Sequence, residues 1–158
     1  MLVGLSGEHG RAHLYRAMME GIALDQAMGT ANIERVTGQT VHELMTIGGG
    51  SASELWCQII ADATGKPVRR LATAEATSLG AAIAAAKGAG WFAAAADAVA
   101  AMGGRVESTI EPDAGRHARY QELRALFEQL YPATCEIQAA LAAFKHGDEV
   151  AGEQAAGS

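Results

Sequence analysis

An α/β fold is predicted by three features of the 158-residue sequence: apolar runs of helical period alternate with short buried runs, glycines punctuate the junctions, and the composition is globular. The helical runs are long and the strand-like ones few, so the fold is expected to be helix-rich. Domains cluster at roughly 100–150 residues, and one domain accommodates this length. With 49% hydrophobic and 19% charged residues, 19 Gly and only 3 Pro, the chain has enough apolar surface for a core and lacks the signature of disorder.

The first helix is expected from about Gly10 to Met28, beginning at Ser6 or Gly7, with Leu14, Ala17, Met18, Gly21, Ile22, Leu24 and Met28 on one broad packed face. Gly21 inside it costs about 1 kcal/mol relative to Ala and suggests close backbone approach by a neighbour. Val41 to Ile47 reads as a buried strand ending at Gly48-Gly49-Gly50. Ser51 or Ser53 can then cap a helix whose apolar face is Leu55, Trp56, Ile59, Ile60 and Ala63, stopping at Gly65-Lys66-Pro67.

Pro67 to Leu71 reads as a second strand, and the charges of Arg69 and Arg70 place it at an edge or a strand end. The small side chains from Glu75 to Ala86 form a helix that can lie close to a sheet or to another helix. A short helix from about Ala93 to Met102 precedes a loop through Gly103, Gly104 and Pro112. From Gly115 onward, Tyr120, Leu123, Phe127, Leu130, Ile137, Leu141 and Phe144 keep helical spacing across Pro132, which is expected to kink or split the helix. Residues 1–144 are thus expected to form the domain and the polar, aperiodic 145–158 a disordered tail. Two strands make a marginal sheet, so something that should complete it is expected to be missing.

A net charge of −6 with scattered Lys and Arg offers no basic stripe for a phosphate backbone, which argues against nucleic acid. No apolar run reaches the roughly 18–20 residues of a membrane span, and Met1 to Gly4 lacks the charged start of a signal peptide, so a cytoplasmic protein with no membrane partner is expected. The two cysteines, Cys57 and Cys135, have no metal-ligand spacing and are expected to be free, buried thiols.

The candidate site is Gly48-Gly49-Gly50-Ser51-Ala52-Ser53, a glycine run between a strand and a helix. Such a run lets the backbone approach a ligand, and the following helix start offers unpaired N–H groups and a positive dipole end, a setting suited to phosphate. It is neither a GxGxxG fingerprint nor a P-loop, so by itself the motif is weak and a plain tight turn is the preferred reading.

Three blocks add to it. Gly4-Leu5, then His13-Leu14 after seven residues, then Ala17-Met18-Met19-Glu20 resembles the second signature of the FGGY carbohydrate kinases. Ile47 through Val68 is similar to that family's adenosine-side glycine motif and its helix, and Glu75 through Ala82 to its next block, in the same order. The closest flavour is the xylulose-kinase branch, over roughly Gly4 to Thr134. The resemblance implies a partial ribonuclease-H-like, actin-like ATPase domain: the carboxy-terminal, ATP-facing part of a kinase that phosphorylates a ketose or polyol. It implies nucleotide contact by Gly48, Gly49, Gly50, Ser51 and Ser53, with Gly49 using its backbone and Ser53 lying near the adenosine.

The family's catalytic aspartate and its Asp-Gly-Thr-type phosphate and magnesium loop have no counterpart here. No catalytic residue and no metal ligand is therefore assigned, magnesium is expected through the amino-terminal domain, and this chain alone is expected to be inactive. The implied partners are ATP, a sugar bound through the other domain, and a separate amino-terminal half or further copies of this chain. The alternative function is a non-catalytic remnant serving as an oligomerisation or interaction module, because an open sheet edge invites association.

The remaining polar candidates read as structural. His9 and His13 are four apart but lack a third metal ligand, so a packing role is preferred for His13. Asp62 and Glu75 are expected to act as caps or ion-pair partners, Glu20 and Asp25 show no sign of forming a carboxylate pair, and Arg11 and Arg16 read as surface charges or interdomain contacts. Trp56 is read as core, and Tyr120, Phe127 and Tyr131 as helix packing.

Overall fold

The computed structural model describes residues 2–72 and 75–156, with side chains described as far as residue 144. Helix α1 is Arg11–Thr37. At its start the Gly10 N–H donates to His13 Nδ1 at 3.1 Å, and at its end Gly38 turns left-handed at φ 67° while its N–H closes on the Glu34 carbonyl at 2.9 Å. The helix thus runs well past Met28, to a glycine stop. Its buried stripe is Ala23, Leu24, Ala27 and Thr30, whereas Met18 and Ile22 of the expected packed face are exposed. A Cβ on Gly21 would meet nothing within 4 Å, so the expected close approach there is not made.

Strand β1, Leu44–Thr46, is followed by a 3-10 turn, Gly49–Ala52, and helix α2, Glu54–Thr64. Ser53 caps α2 by accepting from the Trp56 N–H at 3.2 Å, and Gly65 ends it at φ 67°. A Cβ on Gly65 would come within 2.5 Å of the His117 ring, so glycine is required there by both conformation and space. Helix α2 packs on α1 and supplies the largest share of the core through Cys57, Ile59, Ile60, Ala61 and Ala63. Alanines at 23, 27, 61 and 63 keep this buried layer thin. Cys57 is buried as expected, whereas Cys135 is only half-buried.

Strand β2, Val68–Leu71, lies parallel to β1 with Val68 opposite Leu44, and β1–α2–β2 supplies the crossover that a parallel pair needs. A third strand, β3 at Val106–Ile110, occupies the stretch expected to be loop and pairs antiparallel with β2, Val68 facing Ile110. The strand order β1-β2-β3 places β2 in the centre, not at an edge. Its arginines are accommodated by partners: Arg69 reaches Glu43 at 2.7 Å and Arg70 reaches the Ser51 carbonyl at 2.7 Å. Helices α3, Ala76–Gly88, and α4, Ala95–Met102, pack on each other between β2 and β3 in the chain.

Helix α5, Ala114–Ala156, is one helix through Pro132, so the expected split does not occur. Pro132 is exposed, where the carbonyl left without an N–H partner one turn earlier can be hydrated. The chain divides into two compact units, 1–121 and 122–158, and α5 begins in the first. The second unit, by itself, is helical through Ala156, with Arg124 and Glu128 paired at 3.3 Å and Thr134 Oγ1 donating to the Leu130 carbonyl at 2.6 Å. The expected tail, 145–158, falls on residues whose side chains lie outside the described set, with 157 and 158 outside it altogether.

One tether in the first unit carries a pH dependence. Glu34 Oε1 accepts from Lys66 Nζ and from the Val41 N–H, both at 2.8 Å. The Lys66 hydrogen bond, then that of Val41, holds the Glu34 carboxyl below the usual carboxylate range. A depressed carboxyl stabilises the fold above its unfolded pKa and loses that contribution as pH falls through the folded one. Thermal melts from pH 7 to pH 3 are expected to show the parent chain more stable than Glu34→Gln near neutrality, with the two converging in acid. A gap that does not narrow would assign the effect to shape instead of charge.

Candidate functional site

Strand β1 delivers the chain to the glycine run, and Gly48 makes the bend at φ 79°, ψ −171°, a conformation essentially reserved for glycine. The turn then closes on itself: the Ser51 N–H and Oγ both donate to the Gly48 carbonyl, at 3.1 and 2.7 Å, and the Ser53 N–H donates to the Gly50 carbonyl at 3.1 Å. Ser51 is buried by these contacts, while Gly49, Gly50 and Ser53 are exposed.

Gly49, Gly50 and Ser53 line a cleft of about 450 Å³ together with Tyr15, Met18, Met19 and Ile22 of α1 and Trp56 of α2. Of the five candidate residues, these three share the cleft. Gly48 and Ser51 stand behind them as the hinge and its internal tie. Trp56 is half-buried on the cleft wall instead of in the core, and its ring limits Gly50: a Cβ there would lie 3.3 Å from the indole Cδ1 and Nε1. A Cβ on Gly49 would meet nothing within 4 Å. Ser53 Oγ accepts from the Trp56 N–H and keeps its own proton to donate, so capping and ligand contact are compatible at this hydroxyl.

Sequence reasoning left out the α1 wall. Tyr15, Met18, Met19 and Ile22 follow the i, i+3, i+4, i+7 stripe, but periodicity does not distinguish a stripe that meets a core from one that lines a cleft. Chemically the cleft combines two flat aromatics, two thioethers and an aliphatic side chain with a glycine backbone and the hydroxyls of Ser53 and Tyr15. That set suits a planar, mostly apolar ring joined to a polar group near the turn.

The other candidates have structural employment. Tyr120 OH donates to Glu20 Oε1 at 2.9 Å and accepts from Arg16 at 3.0 Å, while Arg16 Nε donates to Glu20 at 2.7 Å, which ties α1 to the start of α5. Burial, foremost, raises the Tyr120 phenol above its ordinary value, so it stays a neutral donor. Asp62 is buried and binds Arg116 Nε at 2.6 Å, the Asp113 N–H at 2.8 Å and Gln58 at 2.9 Å. The His9 and His13 rings meet edge to face at 5.5 Å, and each Nδ1 accepts from a nearby backbone N–H, of Ser6 and of Gly10. Among the described residues no group of three or more His, Cys, Asp or Glu is placed to hold a metal ion. Nor is any helix among them long and apolar enough to cross a membrane.

The glycine turn within a parallel βαβ unit, faced by a long helix, defines a class that comparison identifies: residues 1–89 match the C-terminal domain of the FGGY family of carbohydrate kinases, and the chain belongs to that family. It is 34% identical over 139 residues to a xylulose kinase of Staphylococcus epidermidis, covering 88% of this chain and 28% of that one. To an autoinducer-2 kinase of Klebsiella pneumoniae it is 39% identical over 124 residues, 77% of this chain and 23% of the relative. The crystal structure of xylulose kinase from Rhodospirillum rubrum superposes with a TM-score of 0.72 at 32% identity, covering 85% of this chain and 27% of that one. The fold is therefore the helix-rich α/β, actin-like ATPase fold of these kinases, and the chain spans about a quarter of the length of the relatives it matches.

Proposed function

We propose that this chain is the ATP-facing part of a sugar kinase that transfers the γ-phosphate of ATP to a hydroxyl of a ketose or polyol such as xylulose. It would act with a segment or separate amino-terminal half that supplies the proton-accepting aspartate, the phosphate and magnesium loop, and the sugar site. The observation that carries this reading is the cleft beside the glycine turn, where Gly49, Gly50 and Ser53 meet Tyr15, Met18 and Trp56. The adenine ring would lie against the aromatic and thioether wall, and the Gly49 and Gly50 backbone would leave room for the adjoining sugar and phosphates. ATP supplies the transferred phosphoryl group, and the residues of this chain bind and orient its nucleoside end. Similarity to xylulose kinases favours a five-carbon ketose, and similarity to autoinducer-2 kinases makes autoinducer-2 the competing acceptor.

Calorimetric titration of the purified chain with ADP and ATP, with and without magnesium, tests this. Saturable binding that is lost in Gly49→Val, with magnesium changing it little, is the expected result. A folded chain that binds neither nucleotide would overturn nucleotide contact by this chain on its own.

The second reading, an oligomerisation or interaction module, is favoured by one observation: Leu126, Tyr131, Ile137, Leu141 and Phe144 of α5 are all more than 60% exposed. Sedimentation velocity separates the readings, since a monomer that binds ADP supports the first and a concentration-dependent oligomer that does not bind supports the second.

A further inference from the structure

The central strand reaches the back of the glycine turn through one side chain. Arg70 is half-buried on β2, its side chain 19% exposed, and its Nε donates to the Ser51 carbonyl at 2.7 Å. The Cys57 thiol approaches the same oxygen at 3.7 Å from α2. The nearest acid, Glu107 on β3, is 4.0 Å from Arg70 Nη2 and 58% exposed, so the short bond to Ser51 is the stronger restraint.

This matters because of where the restraint falls in the turn. Ser51 is the residue whose N–H and Oγ close on the Gly48 carbonyl, and Gly48 sets the bend. Fixing the Ser51 carbonyl inward therefore fixes the peptide planes from Gly48 to Ala52, and with them the cleft-facing surface of Gly49 and Gly50. A neutral hydrogen bond contributes modestly, whereas one from a guanidinium in a partly buried setting is about twice as strong. Nothing in the position of Arg70 along the chain, nineteen residues from Ser51, indicates this contact.

We infer that Arg70 is a positioning residue for the nucleotide-contacting turn: it does not line the cleft but holds the Ser51 carbonyl so that the Gly49–Gly50 backbone is preorganised for its ligand. The inference rests on the proposed nucleotide contact for its functional part, and on the geometry of the turn alone for its structural part.

The test reads the two parts separately. Trp56 borders Gly50, and the chain's other tryptophan, Trp91, is 76% exposed. In a Trp91→Phe background Trp56 becomes the sole indole reporter of the turn. Arg70→Met and Arg70→Lys are then compared by Trp56 emission and acrylamide quenching without ligand, and by calorimetric titration with ADP, with circular dichroism confirming helix content. Arg70→Met is expected to alter Trp56 quenching and to weaken ADP binding about tenfold, while Arg70→Lys, which keeps a charged donor, restores most of both. Unchanged Trp56 quenching together with parent-like ADP affinity in Arg70→Met overturns the inference. If the parent itself binds no ADP, the nucleotide reading fails, and Trp56 quenching still decides: a change rescued by lysine upholds Arg70 as the holder of the turn, and no change refutes it. Should Arg70→Met lose helix content, Arg70→Gln, which retains a neutral donor, replaces it with the same criteria.

Discussion

Replacing Asp62 with alanine is expected to cost about 3 kcal/mol of folding free energy, read as a lower denaturant midpoint at an unchanged m value. The carboxylate is 2% exposed and is bound by three donors, from the Arg116 side chain, the Asp113 backbone and the Gln58 side chain. It therefore clips the start of α5 and the end of β3 onto α2. Truncation removes the acceptor and strands the Asp113 N–H, while the Gln58 amide is left with the Glu111 carbonyl at 3.0 Å as its partner, and an unsatisfied donor costs more than the bond itself gained. Asp62→Asn keeps one acceptor oxygen and is expected to fall between the parent and alanine. Arg116→Ala should cost less than Asp62→Ala, because Arg116 is 53% exposed and the carboxylate keeps its other two donors. The reverse order would mean that the arginine stem, not the buried carboxylate, holds the clip.

The parts of this fold that the sequence made legible are those enforced by local chemistry. Ser53 as a cap, Gly65 as a stop and Gly48 as a bend act over three or four residues, and each stands where the residue type implied. What was not legible depended on partners distant in the chain. Arg69 and Arg70 look like edge residues until Glu43 and the Ser51 carbonyl are brought beside them. Val106 to Ile110 has the alternation of a half-buried strand, with Val106, Ser108 and Ile110 turned inward, but its two polar and one charged residue hid the strand. Trp56 and Ile22 carry the right apolarity for a core, and only the packing of α1 on α2 reveals that they line a cleft instead. The same limit applies at the site. The glycine turn was readable as a motif, but the wall facing it comes from residues more than twenty-five positions earlier, and the residue bracing it from a strand after the next helix.

The second large effect concerns adjacent glycines with different duties. Gly48→Ala is expected to destabilise the chain by about 1–3 kcal/mol, because φ 79° with ψ −171° lies in a region that side chains with a Cβ avoid. Space is not the reason, since a Cβ on Gly48 would meet nothing within 4 Å. Gly49 is different. It begins the 3-10 turn without a positive φ and opens on free space, so Gly49→Val is expected to fold with nearly parental stability. Its new side chain would instead project from a residue lining the cleft. Paired melts and ADP titrations should therefore separate the two substitutions: Gly48→Ala loses stability and, with the bend disturbed, affinity, whereas Gly49→Val loses affinity alone. Equal destabilisation by both would mean that the glycine run is kept for its backbone shape throughout, and would remove the physical basis for placing a ligand against Gly49.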